Sequence, residues 1–125
     1  MEAIKSFFFD TYALFEIVHE NKNYKPYTNN VTVITTKLNL MELHYILLRH
    51  YGLEYAEKAF EHFRKFCVEF DDVSLKECSQ FKFDNYRRDL SYVDCLGYVI
   101  AKKFNAKFLS GDEQFKDFDN VEFVK

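Results

Sequence analysis

The stretch Ser91–Phe115, SYVDCLGYVIAKKFNAKFLSGDEQF, decides the fold. Apolar residues recur at helical spacing over Ser91–Phe104, which predicts a helix with one buried face. The residues expected to face inward are Val93, Leu96, Gly97, Ile100, Ala101 and Phe104. The run Ala106–Ser110 then reads as a short strand that ends at Gly111 and Asp112. A helix followed at once by a strand is typical of a parallel sheet, because parallel strands need a crossover connection.

The same alternation of strands and helices continues through the rest of the chain. The other strands are expected at Ile4–Phe9, Val31–Thr36, Cys67–Phe70 and Val121–Val124. The other helices are expected at Thr11–Glu20, Asn39–Tyr51, Leu53–Phe66 and Ser74–Tyr86, with a loop or short helix at Asn21–Asn30. We therefore predict a single α/β domain over 1–125, with three α/β/α layers and a mainly parallel central sheet of four to five strands.

Composition excludes several classes of protein. The chain has 125 residues, of which 48% are hydrophobic and 19% aromatic, so it can bury one core and is not intrinsically disordered. A net charge of −3 excludes a generally polybasic nucleic-acid binder. The absence of a long apolar run predicts no membrane span, and the mixed charges of Met1–Ser6 are unlike a secretory signal. Three cysteines without a C-x-x-C agree with a cytoplasmic location.

Four carboxylates are expected at one edge of the sheet. Asp10 follows the first strand, Asp112 follows the strand Ala106–Ser110, and Glu42 and Asp94 each lie in the first turn of a helix. In a parallel α/β sheet these places gather at the carboxyl ends of the strands, where ligands usually bind. Two carboxylates about 5 Å apart repel by about 3 kcal/mol at an effective dielectric of 20. A hard divalent cation, Mg²⁺ or Mn²⁺, would offset that repulsion.

Each of these acids also has an ordinary structural explanation. Asp10 could cap the following helix, and Asp112 could be a turn residue after Gly111. Asn39–Glu42 and Ser91–Asp94 both resemble capping boxes, in which the acid at the third helical position bonds back to the cap. Taken singly, the structural explanation is the simpler one, and only the convergence of all four acids favours a metal site.

Four segments, in order, resemble the PIN domain, and more narrowly the stand-alone ribonuclease toxins of the VapC type. These are D-T at Asp10–Thr11, M-E-L at Met41–Leu43, L-S-Y-V-D-C-L at Leu90–Leu96 and F-L-S-G-D-E-Q-F at Phe108–Phe115. The resemblance covers nearly the whole chain, and the last two segments are its most specific part. It implies a metal-dependent endoribonuclease whose Mg²⁺ or Mn²⁺ lowers the pKa of a bound water and polarises the phosphate. It also implies products with a 5′-phosphate and a 3′-hydroxyl.

By that resemblance, the catalytic and metal-binding quartet is Asp10, Glu42, Asp94 and Asp112. Thr11 and Ser110 would hydrogen-bond the carboxylates from behind. The RNA needs a cationic rim, for which Arg87, Arg88 and Lys37 are the candidates, with transfer RNA among the substrates considered. Toxins of this type also imply a homodimer and an antitoxin, which would cover an apolar groove between the helices Asn39–Tyr51 and Leu53–Phe66.

Three other readings stay open from the sequence. The first is a housekeeping RNA-processing nuclease with no antitoxin, and the second is a non-catalytic module that binds RNA or protein and keeps the acids for stability. The third is a receiver-like signalling domain, in which Mg²⁺ binds around a phosphorylated Asp. That last class needs paired acids after the first strand, where this sequence has only Asp10.

Overall fold

Four short strands form one sheet in which every neighbouring pair is parallel. A computed structural model describes residues 4–125. The strands are β1 (Lys5–Phe9), β2 (Val31–Ile34), β3 (Lys107–Ser110) and β4 (Val121–Phe123), in the spatial order β2-β1-β3-β4. The helices are α1 (Thr11–Val18), α2 (Lys37–Tyr51), α3 (Leu53–Arg64), α4 (Asp72–Asp84) and α5 (Tyr92–Lys103), with 3₁₀ turns at Lys22–Tyr27 and Glu113–Phe115. The predicted fold class is confirmed.

The alternation of side chains along β1 builds two separate cores, one on each face of the sheet. Phe7 and Phe9 pack with buried residues of α1, α2 and α3. Phe8 points to the other face, where it packs with α4 and α5 and stacks on Phe108 of β3 at 5.8 Å between ring centroids. Successive strand residues face opposite sides, so three consecutive phenylalanines serve both layers of helices.

Two expectations about regular structure are wrong. Cys67–Phe70 does not form a strand, because only Cys67 pairs, through an isolated bridge to Thr35. The sheet therefore has four strands, the lower of the two numbers expected. Phe104 does not face the core. It caps the carboxyl end of α5, where the helix is ending, and its side chain is 48% exposed.

None of the helices formed by residues 4–125 is long and apolar enough to cross a membrane. Residues 1–3, half of the segment on which the expectation of no secretory signal depends, lie outside the described residues.

Candidate active site

Asp10 and Asp112 leave the sheet at the same edge. β1 and β3 are adjacent and in register, with Phe9 opposite Leu109, so the residues that follow them are neighbours. Asp10 is only 3% exposed and caps α1, accepting a hydrogen bond from the Ala13 amide at 2.8 Å. Asp112 caps the 3₁₀ turn and accepts from the Gln114 amide at 2.9 Å. Asp10 therefore has the capping role, and Asp112 the turn position, that were their structural alternatives.

A glycine brings Asp94 to this edge. Gly97 of α5 lies directly against Phe8, and a Cβ at this position would stand 2.7 Å from its ring. Because no side chain intervenes, α5 packs close to the sheet with Asp94 in its first turn. Ser91 caps the helix, and the Ser91 hydroxyl and the Asp94 carboxylate each accept from the other's amide at 3.0 Å. The predicted capping box is present here.

Glu42 reaches the site from a different helical turn than expected. α2 begins at Lys37 and is capped by Thr36, so Asn39 is not its first residue and Asn39–Glu42 is not a capping box. Glu42 instead lies in the second turn. Its carboxylate accepts a hydrogen bond from the Thr11 hydroxyl at 2.6 Å, which ties α2 to the start of α1.

A buried asparagine supports this contact, and the sequence reading missed it. Asn39 is 1% exposed and donates from its side-chain amide to the Thr11 hydroxyl at 3.2 Å. Its carbonyl oxygen accepts from Thr36 at 2.6 Å. The chain of hydrogen bonds Thr36–Asn39–Thr11–Glu42 therefore fixes the orientation of the Glu42 carboxylate. The available signal was a polar residue three positions before Glu42, on the same helix face.

The four carboxylates act on one another electrostatically. Burial raises the pKa of Asp10 to about 8, against hydrogen bonds from Ser110 and Ala13, and the charges of Asp94 and Asp112 add to the rise. Burial likewise raises the pKa of Asp94, and Asp112 raises it further. Glu42 has a raised pKa through burial and the charge of Asp94, opposed by the Thr11 hydrogen bond. The topology thus brings the predicted acids close enough for Asp94 and Asp112 to raise the pKa of Asp10, and for Asp94 to raise that of Glu42.

The chemistry of these donors fits a hard divalent cation. The quartet offers only carboxylate oxygens, the ligands preferred by Mg²⁺ and Mn²⁺. Within residues 4–125, no three side chains of His, Cys, Asp or Glu are grouped closely enough to hold a metal ion as they stand. Each carboxylate accepts a hydrogen bond from its own donor: Ala13, Thr11, Ser91 or Gln114.

The PIN domain family model matches residues 7–121 of this chain, a span that includes all four acids. The chain belongs to the PIN domain family. PIN-domain nucleases generally use divalent metal ions, in agreement with the donor set. No curated protein matches the sequence.

Solved structures share this PIN fold at low sequence identity. VapC20 of Mycobacterium tuberculosis, described as a toxin that cleaves the sarcin–ricin loop, is 17% identical with a TM-score of 0.81, covering 95% of this chain and 99% of that one. VapBC2 of Rickettsia felis, bound to a promoter DNA fragment, is 15% identical with a TM-score of 0.72, covering 96% and 99%. A toxin–antitoxin complex from Klebsiella pneumoniae is 12% identical with a TM-score of 0.71, covering 92% and 94%. At these identities the likeness shows the fold.

The three basic residues expected to contact RNA differ in their surroundings. Lys37 is exposed at the first position of α2. Arg87 is exposed, with its guanidinium 5.5 Å from the centre of the Tyr86 ring. Arg88 is partly buried and is bonded to the segment that follows Asp112. Lys37 and Arg87 are therefore free to meet a phosphate, whereas Arg88 is already engaged.

Replacing Asn39 by Leu is expected to destabilise the PIN domain by about 1–3 kcal/mol, because the buried Thr36 hydroxyl and the half-buried Thr11 hydroxyl each lose a partner. RNA cleavage is expected to fall about 10–100-fold, as for other residues that orient a metal ligand. Chemical unfolding and single-turnover cleavage measure the two effects. Asn29→Leu, at an exposed loop position, is the matched control. Equal stability of the two variants would contradict the role assigned to Asn39.

Replacing Gly111 by Ala is expected to destabilise the domain by about 1–3 kcal/mol through overpacking. The added Cβ would lie 2.3 Å from the Tyr12 ring and 2.4 Å from the Val124 carbonyl oxygen. Because the backbone must shift between Ser110 and Asp112, Mn²⁺ affinity should fall as well. Denaturant unfolding and metal titration test this, with Ser79→Ala at an exposed position of α4 as the control. An Ala variant as stable as the parent would refute it.

Proposed function

We propose that this PIN domain is a metal-dependent endoribonuclease and the toxin of a toxin–antitoxin pair. The observation that carries the proposal is the set of four carboxylates, Asp10, Glu42, Asp94 and Asp112, at one edge of the sheet. Burial raises the pKa of Asp10, Glu42 and Asp94, and the charge of a neighbouring acid of the set adds to each rise. An intact acidic quartet favours an active nuclease over a non-catalytic module. The structural neighbours, which include a toxin described as cleaving the sarcin–ricin loop, support the same assignment.

The proposed metal is Mg²⁺ or Mn²⁺, with Asp10 and Asp94 as the first direct ligands. Such an ion supplies an activated water and a positive charge against the phosphate. Glu42 and Asp112 would hold the ion directly or through its waters, or would orient the attacking water. The hydroxyl of Thr11 holds Glu42, and that of Ser110 bridges two acids, donating to Asp10 and accepting from the Asp112 amide at 3.0 Å.

The proposed substrate is an RNA loop, whose backbone would meet the exposed side chains of Lys37 and Arg87. Unpaired bases can leave the helix stack, so loops allow a protein to reach the scissile phosphate. The VapC20 neighbour is described as acting on the sarcin–ricin loop, so a hairpin of that sequence is a suitable probe besides transfer RNA.

The test of the proposed activity uses purified chain, freed of any partner and incubated with end-labelled transfer RNA and a sarcin–ricin hairpin. Cleavage that needs Mg²⁺ or Mn²⁺, stops with a chelator and leaves 5′-phosphate ends would support the proposal. RNA binding without cleavage would favour the non-catalytic module. Cleavage unaffected by chelation would contradict the role of the carboxylates.

An antitoxin and a second copy of the chain are the proposed protein partners. α2 and α3 expose large apolar side chains, with Met41 57%, Tyr45 60% and Leu53 61% exposed. Such surface on a small domain is typical of interaction sites. Growth arrest on expression that a small co-expressed protein relieves, and light scattering at twice the chain mass of 15.1 kDa, are the expected results. Expression without growth arrest would favour the housekeeping nuclease, and a monomer would contradict the dimer.

A further inference from the structure

The loop between α4 and α5 is joined to the segment after β3 by one arginine. The Arg88 guanidinium donates to the Gln114 carbonyl at 2.8 Å, and it lies 4.5 Å from the centre of the Phe118 ring. Arg88 comes just before Ser91, which caps α5, so its two contacts connect the start of that helix with the segment 112–118.

This connection ends at one of the carboxylates. The amide of Gln114, whose carbonyl binds Arg88, donates to the Asp112 carboxylate at 2.9 Å. The neighbouring Phe115 amide donates to the Asp112 carbonyl at 3.0 Å, and the Phe115 side chain is fully buried. The turn that presents Asp112 is therefore held from inside by Phe115 and from outside by Arg88.

The guanidinium is not used to neutralise an acid. Among residues 4–125, no carboxylate lies within ion-pair distance of Arg88. Its partners are a carbonyl oxygen and an aromatic face, and a planar guanidinium can donate to the first while it stacks on the second. Arg87 differs from Arg88, because it is exposed and its Nε donates at 3.1 Å to the hydroxyl of the neighbouring, exposed Tyr86.

We infer that Arg88 is a positioning residue, which fixes the Asp112 turn against the start of α5 so that Asp112 and Asp94 stay together as partners in metal binding. This inference rests on the proposed metal-dependent function. The clamp is needed because two like charges held close together repel. A contact that joins the two backbone segments opposes that repulsion and keeps both oxygens available to a cation. The sequence-based assignment of Arg88 to the RNA-contacting rim is thereby replaced.

Three variants separate positioning from phosphate binding. Arg88→Gln removes the clamp, and Arg87→Gln removes an exposed charge beside it. Arg64→Gln makes the same charge change on α3, where Arg64 forms an ion pair with Glu61. Arg88→Gln is expected to weaken Mn²⁺ binding about 10-fold in calorimetry without RNA, and to lower kcat by a similar factor with KM within about twofold. Arg64→Gln should change neither quantity.

Arg87→Gln should instead raise KM and lower the salt dependence of RNA binding by about 0.7 in the logarithmic slope, the amount for one phosphate on a single strand. If Arg88→Gln behaves in this way, with Mn²⁺ affinity unchanged, Arg88 contacts RNA and the inference is overturned. Arg88→Lys keeps the charge but not the planar shape, so its Mn²⁺ affinity is expected to lie between that of Arg88→Gln and that of the parent. Parental affinity in Arg88→Lys would mean that the positive charge, and not the shape of the guanidinium, supports metal binding.

Hydrogen exchange of the Gln114 amide provides a measurement that depends on neither metal nor RNA. The exchange rate should rise at least about fivefold in Arg88→Gln and stay unchanged in Arg64→Gln, with thermal unfolding showing that both variants are folded.

Wild-type chain that cuts no RNA and binds no Mn²⁺ would overturn the proposed function, and with it the role assigned to Arg88. Metal binding and cleavage that are equal in Arg88→Gln and Arg64→Gln would overturn only the inference on Arg88. Should Arg88→Gln fail to fold, the same measurements on Arg88→Lys decide.

Discussion

Replacing Asp94 by Asn is expected to lower the rate of RNA cleavage by at least about 10²-fold. Loss of one negative oxygen removes several kcal/mol of metal binding and of stabilisation of the transition state, and each 1.4 kcal/mol is a factor of ten. The fold should survive, because the Asn side-chain oxygen can still accept from the Ser91 amide, as Asp94 does at 3.0 Å. Single-turnover cleavage with saturating Mn²⁺ measures the change.

Circular dichroism and thermal unfolding of the same preparation show whether the capped start of α5 is intact. Asp89→Asn, an exposed acid five residues earlier, is the matched control and should cut RNA at the parental rate. A variant at Asp94 that retains more than a tenth of the parental rate would remove Asp94 from the catalytic quartet.

Replacing Asp10 by Asn is expected to stabilise the metal-free chain at pH 8 while also abolishing cleavage. Burial raises the pKa of Asp10 from 3.8 to about 8, so between these values the folded chain holds a proton that the unfolded chain has lost. The free energy of unfolding therefore falls as the pH rises from about 4 to about 8. One pKa unit corresponds to about 1.4 kcal/mol, and we expect a gain of at least about 1 kcal/mol from Asn at pH 8.

Urea unfolding in a chelator, at several pH values, tests this directly. Asp71→Asn is an informative control, because Asp71 also caps a helix, but hydrogen bonds from Ser74 lower its pKa. That variant should gain nothing at pH 8. Adding Mn²⁺ should stabilise the parent chain and not Asp10→Asn, since only a folded carboxylate site binds the ion. If the free energy of unfolding of the metal-free parent did not change with pH, the claim that ionised Asp10 destabilises the fold would be wrong.

The placement of three acids follows from local sequence and one topological rule. Asp10 and Asp112 directly follow apolar strands, and in a parallel sheet such positions share an edge. Asp94 is given by the capping box with Ser91, which local pattern alone identifies. Glu42 is predicted at the correct edge but in the wrong turn, because Thr36 and Asn39 are both good caps and only the packed structure chooses Thr36.

The supporting residues could not be found in this way, because their contacts join distant parts of the chain. Asn39 serves the site only once α2 lies beside Thr11, 28 positions away, and Arg88 only once Gln114 lies beside it, 26 positions away. Neither pairing leaves a periodic signal in the sequence. At Cys67–Phe70 the local pattern is misleading instead, because its apolar residues favour a strand although only Cys67 pairs, with Thr35. The roles of the four acids in metal binding and catalysis stay predictions.

The carboxylates that are proposed to bind metal also accept hydrogen bonds from backbone amides. Asp10 does so at the start of α1, Asp112 at the start of the 3₁₀ turn, and Asp94 in the capping box of α5. An asparagine satisfies these backbone amides equally well, so the architecture separates folding from chemistry at these positions. A chain with Asn at 10, 94 and 112 should therefore keep its shape and its basic rim while losing the reaction. Such a chain could be used as bait that retains uncut transcripts from a cell extract, so that sequencing of the retained RNA would identify the natural target.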